Sequence, residues 1–311
     1  MGLSTPSLCA SGLDDRQLAP LISNLFGSAM KSDNSPEHQR PSAEESHPKI
    51  FRVIDEVIER LHLWIDEAQI PDDGTALGNV KIATIGRAFN QYRSIVNLLR
   101  TNHWEDAYIL IRSLFELLLN TEELMRHEEN AERAAQRIIQ FSGLQENLRR
   151  REMALYHVAT RRAGKEVVER VEEGDRKLRE HYKEFWHIDK KGRGKWRVSW
   201  FNKNVADLCA LSSNLLRTHQ YKLLYCRGSE FTHSSPAALF ASHFLSDQKI
   251  SFEEFAEISE AVENRELREA VVLSFTFLGE ILLLLGDRLP DFDAVWLARK
   301  TKEFMNIAVG V

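Results

Sequence analysis

Apolar residues recur at helical spacing along most of this chain, and this pattern constrains the fold more than any other feature. Over 51–68 they fall three or four positions apart, which places them on one side of a helix. This stripe consists of Val53, Ile54, Val57, Ile58, Leu61 and Ile65. Similar stripes predict helices over 80–101, 104–127, 131–159, 164–185, 205–211 and 214–232, and two more after Pro236, the last over 265–287.

Glycine and proline are sparse, with 15 and 8 in 311 residues, and strand-like alternation is nearly absent. The chain is therefore predicted to be all-α, a single multi-helix bundle with a flexible N-terminal tail. The tail is placed at 1–48, because it is rich in Ser, Pro, Asp and Glu. One short amphipathic segment at 18–26 is a candidate for docking on a protein partner. The helical domain is placed at 49–311 and includes a charged helical hairpin and a basic loop at 131–203.

Several classes of protein are disfavoured by what the sequence contains. The three cysteines lack CxxC spacing and the histidines lack HExxH spacing, so we expect no disulfide framework, no metal site and no cofactor. The longest apolar run, 270–285, contains Glu280, which favours a core helix over a membrane span. We find no secretory signal, and the composition is that expected of a cytoplasmic protein without a membrane partner.

Charge is unevenly distributed along the chain. Between Arg133 and Lys203 basic residues outnumber acidic ones roughly two to one, although the whole chain carries a net charge of −5. A basic segment in an acidic protein suits a phosphate-binding face. The alternative is a solvated hairpin whose charges pair with one another.

Within the helix predicted at 104–127, the stretch 109–120 is apolar on nearly every side. Its polar exceptions are Arg112, Glu116 and Asn120, which lie four positions apart and therefore form one stripe. Charges inside a core are costly unless they are paired. The stripe is either a buried Arg112–Glu116 pair that fixes helix packing or the lining of a central cleft.

A second constellation ends the helix predicted at 214–232. Arg227 and His233 are the residue types that hold a phosphate and move a proton near neutral pH. Six positions on a regular helix separate them by about 120°. They meet if Gly228 loosens the helix, if His233 lies beyond the helix end, or if two chains share the site. Arg227 also has a competing helical neighbour in Glu230.

Two motifs together resemble a bacterial family of unknown function, DUF5677. They are Arg112-Ser113-Leu114-Phe115-Glu116 and, far downstream, Tyr225, Ser229, His233 and Ser234. The tryptophan-bearing segment 196–201 is similar to that family as well. The resemblance implies a helical cytoplasmic protein and covers 51–244.

The Arg227-x5-His233 spacing also resembles the motif of HEPN domains, many of which are metal-independent ribonucleases in toxin–antitoxin and anti-phage defence systems. This resemblance implies that Arg227 binds the scissile phosphate of RNA and that His233 is the general base or acid. Glu116 or Arg112 would be the further polar residue that tunes the site. Many such enzymes build the site across a homodimer. Candidate substrate-binding residues around these four are Asn120, Ser229, Glu230, Ser234, Lys195 and Arg197. The alternative function is a non-catalytic helical module that binds a ligand or protein as a sensor or adaptor.

Overall fold

The computed structural model describes residues 42–66, 74–127, 130–232, 252–289 and 291–309. At 165, 226–232, 252–259, 288 and 309 it describes the backbone only. The described residues form ten α-helices and one two-stranded sheet, which confirms the predicted all-α class. None of the described helices combines the length and apolar content needed to cross a bilayer.

The helices follow the chain in this order: α1 Ala43–Ser46, α2 Pro48–Asp66, α3 Ala76–Arg100, α4 Trp104–Arg126, α5 Ala131–Ala159, α6 Lys165–His181, α7 Val205–Leu211, α8 Arg217–Thr232, α9 Phe252–Leu285 and α10 Ala294–Val309. The strands β1 Trp186–Ile188 and β2 Gly194–Trp196 lie between α6 and α7. Short 3₁₀ turns occupy Lys183–Phe185 and Gly286–Arg288.

Polar caps explain where several of these helices begin. Thr75 accepts a hydrogen bond from the backbone N–H of Gly78 at the start of α3. Asn204 and Asp207 form a reciprocal capping box at the start of α7. Glu132 on α5 accepts from the backbone N–H groups of Ala76 and Leu77, so the open end of α3 is also satisfied by a neighbouring helix.

The core is organised around α4, which packs against α3, α5, α7, α8 and α9. Its side chains Ile111, Leu114, Phe115 and Leu118 are fully buried. Phe115 contacts Phe277 of α9, with ring centroids 5.2 Å apart. Because α4 has neighbours on nearly every side, apolar residues lie on most of its faces.

The predicted charged hairpin is formed by α5 and α6. The first part of α5 packs against α3 and α4, whereas α6 packs mainly on α5 and on the 3₁₀ turn that follows it. None of the α6 side chains that the structure describes is fully buried. The hairpin is therefore attached to the bundle through α5 alone along most of its length.

Three local predictions differ from the structure. The helix predicted at 265–287 begins earlier, at Phe252, and a further helix, α10, follows it. Residues 43–46, assigned to the flexible tail, form the helical turn α1, because Ser42 and Glu45 make a capping box. The basic segment 190–195, predicted to be a loop, forms the tip and second strand of a β-hairpin. Its strands are antiparallel, Trp186 pairs with Trp196, and the two rings lie 4.7 Å apart. The amphipathic segment 18–26 lies outside the described residues.

Candidate functional site

The polar stripe on α4 forms as its spacing predicts. Arg112 Nε donates to Glu116 Oε1 at 3.3 Å, and Asn120 Nδ2 donates to the backbone carbonyl of Glu116 at 2.7 Å. The side chains of Arg112 and Glu116 keep 20% and 37% of their exposure. The pair is therefore partly accessible to solvent rather than sealed in the core.

Arg112 also contacts α8. Its guanidinium carbon lies 3.8 Å from the centroid of the Tyr225 ring, and that ring lies 4.8 Å from the ring of Tyr221 one turn earlier. A cation over an aromatic face is attracted by the ring quadrupole, and more strongly when both are partly desolvated, as they are here. This contact brings the stripe against the second half of α8. Tyr225 belongs to the downstream motif of the sequence analysis, which assigned it no function. Its four-residue spacing from Tyr221 is visible in the sequence.

Three predicted site residues, Arg227, Ser229 and Glu230, occupy the last two turns of α8. The helix continues without a break through Gly228 to Thr232, so the idea that Gly228 loosens it is wrong. At 100° per residue, position 229 lies within about 40° of position 225, whereas position 227 lies about 160° away. Ser229 is therefore on the face of α8 that carries Tyr225, and Arg227 is on another face. His233 and Ser234 lie outside the described residues.

The other two candidates, Lys195 and Arg197, belong to the β-hairpin region. Lys195 Nζ lies 3.5 Å from Asp189 in the same hairpin. The backbone N–H of Arg197 donates to the carbonyl of Phe185 at 2.8 Å. The segment reaches the stripe through Trp200, whose Nε1 donates to Asn120 Oδ1 at 3.2 Å. The structure thus connects Asn120 to this region without placing Lys195 or Arg197 at the Arg112–Glu116 pair.

We expect a Trp200→Phe variant to be less stable by about 1–2 kcal/mol, because it leaves the partly buried amide oxygen of Asn120 without its donor. Trp200 is 5% exposed and packs with Leu124 and Ala135 in a small cluster. Urea unfolding measures the loss, and Trp196→Phe in the β-hairpin is the matched control. If the hydrogen bond stabilises the fold, the double variant with Asn120→Ala and Trp200→Phe loses less unfolding free energy than the sum of the losses in the two single variants.

A buried charge cluster that the sequence did not predict lies beside the stripe. Arg217, at the start of α8, is 2% exposed. Its Nε and Nη2 donate to Glu122 Oε1 of α4 at 3.0 and 2.6 Å, and Nη2 also donates to Glu280 of α9. Nη1 donates to Gln220 at 2.8 Å. The signal in the sequence was Glu280, since a carboxylate within an apolar run needs a partner.

The Arg217 cluster keeps its guanidinium charged. Burial acts to lower the pKa of Arg217, but the hydrogen bonds that it donates to Glu122 and Glu280 outweigh burial and hold the pKa above its usual value. The cluster therefore joins α4, α8 and α9 by charge-assisted hydrogen bonds. This arrangement suits a structural joint that fixes where α8 begins.

Cys209 lies near this cluster, is 4% exposed, and burial raises the pKa of its thiol to about 11. At about pH 8 only roughly one thiol in a thousand is ionised, so we expect very slow reaction with a thiol reagent. Labelling of a Cys9→Ser, Cys226→Ser variant measures this directly. We expect fast labelling in denaturant, and fast labelling of the folded protein would contradict the assigned burial.

Within the described residues, no group of three or more His, Cys, Asp or Glu is placed to hold a metal ion. The structure brings Arg112 and Glu116 of α4 together with Tyr225 of α8. One turn further along α4 lies Asn120, which accepts the hydrogen bond from Trp200. Their guanidinium and aromatic surfaces suit contacts with phosphate groups or bases.

The family of unknown function DUF5677 matches residues 78–251, which is more than half of the chain. The chain belongs to this family. The DUF5677 region spans α3 to α8 and so contains the stripe, the hairpin and Arg227. Comparison with curated proteins and with solved structures found no match.

Proposed function

We propose that this DUF5677 protein is a metal-independent endoribonuclease. Arg227 holds the scissile phosphate. His233 takes the proton of the ribose 2′-hydroxyl, whose oxygen bonds to phosphorus while the bond to the 5′-oxygen breaks and that oxygen gains a proton. The products are a 2′,3′-cyclic phosphate and a 5′-hydroxyl. The residue types and their spacing motivate this chemistry.

The structural observation that supports the proposal most is the contact of Arg112 with Tyr225. It places a partly exposed guanidinium and its carboxylate partner beside the helix that carries Arg227 and leads to His233. Arg112 then binds a neighbouring phosphate, Glu116 orients Arg112, and Ser229 contacts the sugar–phosphate backbone. Asn120, Glu230 and Ser234 extend the site, and Lys195 and Arg197 bind more distant phosphates.

The position of Arg227 on α8 favours a site shared by two chains. Positions 225 and 227 lie on different faces of an unbroken helix, so position 227 is not on the face of α8 that carries Tyr225. A homodimer brings Arg227 of one chain to His233 of the other. Such an enzyme acts in the cytoplasm as a toxin or an anti-phage effector.

The test is incubation of the purified full-length chain with transfer RNA in EDTA. We expect cleavage that leaves 2′,3′-cyclic phosphate ends, and no cleavage of DNA or of RNA methylated at the 2′-oxygens. We also expect expression of the wild type to slow cell growth and His233→Ala to restore it. Absence of RNA cleavage, or cleavage of the DNA substrate, rules the proposal out.

A second candidate function is a non-catalytic binding module. It is favoured by the contacts of the α4 stripe, since Arg112 is used by Tyr225 and Asn120 by Trp200. In this case the stripe holds helices together, and Arg227 neither binds nor cleaves RNA. The protein then cuts no RNA, and Arg112→Ala lowers its stability.

A further inference from the structure

A groove of about 650 Å³ lies between α5 and α6. Cavities of this size accommodate small molecules. The groove lies away from the α4 stripe and takes no part in the ribonuclease proposal. The positions of its lining residues on α6 follow from the helical period of about 3.6 residues per turn.

Apolar side chains form the floor of the groove. Val167, Val171 and Leu178 lie on one stripe of α6 that faces Ala154 of α5, and none of them is fully buried. Covering a partly hydrated apolar stripe with an apolar group removes apolar surface from water, which is favourable in free energy.

Gly174 is the gap in that stripe. By helical register it lies between Val171 and Leu178, on the same side of α6. A Cβ atom added at Gly174 meets no atom within 4 Å, so the space next to it is open. Glycine is a poor residue for a helix interior. Its presence there, in the wall of the groove, keeps the groove open where any side chain would fill it.

One edge of the groove is basic. Arg170, Lys177 and His181 follow one another along α6 about 20–60° from Gly174. On the opposite edge Asp175 is already used, since Arg151 Nε contacts both of its oxygens at 2.7 and 2.9 Å. Lys177 is paired as well, since its Nζ lies 3.3 Å from Glu173 Oε1. Arg170 Nε instead donates to a backbone carbonyl, that of Glu166, at 3.4 Å. The basic edge therefore has a guanidinium available for an anion.

We propose that this groove binds a small amphiphilic anion. Its alkyl or aryl body lies on Val167, Val171 and Leu178 beside Gly174. Its carboxylate, sulfonate or phosphate group lies against Arg170. The combination of an apolar floor with this guanidinium at its edge selects this class over a neutral apolar molecule.

The test compares the anionic dye 8-anilinonaphthalene-1-sulfonate with its uncharged analogue N-phenyl-1-naphthylamine on the full-length chain. We expect one site that binds the anion about tenfold more tightly than the analogue, as a single charge-assisted contact allows. Gly174→Leu is expected to weaken both dyes at least tenfold. Arg170→Gln should weaken only the anion, and Arg162→Gln, in the turn between the helices, should change neither.

Two controls keep the result interpretable. Leucine is a better helix former than glycine, so Gly174→Leu should melt no lower than the wild type by circular dichroism. Ala154→Leu fills the groove from α5 and should reproduce the loss of dye binding if Gly174→Leu disturbs folding.

Unchanged dye binding in both filled variants overturns the proposal, as does equal affinity for the two dyes. A dimer that dissociates on Gly174→Leu in sedimentation also overturns it, because the groove is then covered by a second copy. RNA cleavage is not used as a readout, so the outcome is independent of the ribonuclease proposal.

Discussion

An Arg217→Met variant is expected to lose about 3–5 kcal/mol of unfolding free energy, because it leaves two partly buried carboxylates without their shared cation. Glu122 and Glu280 come from α4 and α9, and each accepts hydrogen bonds from Arg217. Domains are commonly stable by only about 5–15 kcal/mol, so this loss is a large fraction of the total. Urea unfolding followed by circular dichroism measures it.

The control for Arg217→Met is Lys222→Met, which removes a cation from an exposed position on the same helix. We expect that change to stay within about 0.5 kcal/mol of the wild type. Adding Glu122→Gln and Glu280→Gln to Arg217→Met should recover part of the loss, since the uncompensated charges are then gone. A loss below about 1 kcal/mol for Arg217→Met would mean that the cluster is hydrated and contributes little.

His233→Ala is expected to slow RNA cleavage by about 10²–10⁴-fold, the usual contribution of a positioned general acid or base. Arg227→Ala removes the cation that stabilises the charge developing on phosphate, and we expect a loss of similar size. Single-turnover cleavage of a short labelled RNA in EDTA gives these rates. The wild-type rate should change with pH through the histidine range, near about 6.5, and this dependence should disappear in His233→Ala.

The matched control for these variants is His219→Ala, which removes an exposed histidine from the same helix. Its cleavage rate should equal that of the wild type. A site shared by two chains predicts one further result. Mixing inactive Arg227→Ala and His233→Ala chains should restore some cleavage, because a mixed dimer contains one intact Arg227–His233 pair. Cleavage by His233→Ala at the wild-type rate would remove this histidine from the mechanism.

The bounds of the helices were largely predictable from local pattern. The predicted helices at 131–159 and 205–211 coincide with α5 and α7, and most other bounds agree to within a few residues. The exceptions are α9, which begins well before the predicted position 265, and α10, which was not predicted. Hydrophobic periodicity reports directly which side of a helix is covered, so it locates helices well. The β-hairpin at 186–196 was not predictable in this way, since its strands have three residues each and are held by cross-strand pairing of Trp186 with Trp196.

The candidate site was predictable only where its residues are neighbours on one helix. The four-residue spacing of Arg112 and Glu116 was enough to predict their pair. The contact of Arg112 with Tyr225 joins residues more than a hundred positions apart, and no local pattern contains that information. The Arg217 cluster has the same property, because its three charges come from three helices.

The sequence by itself therefore determined that the chain is all-α, where its helices lie, and which charged residues share a helix face. Only the tertiary structure decided that the Arg112–Glu116 pair is partly exposed, that α8 is unbroken at Gly228, and that Arg217 is buried. The physical reason is that secondary structure follows from the periodic burial of nearby residues. Exposure and ionic partners depend instead on which helices pack together, and that depends on the whole chain.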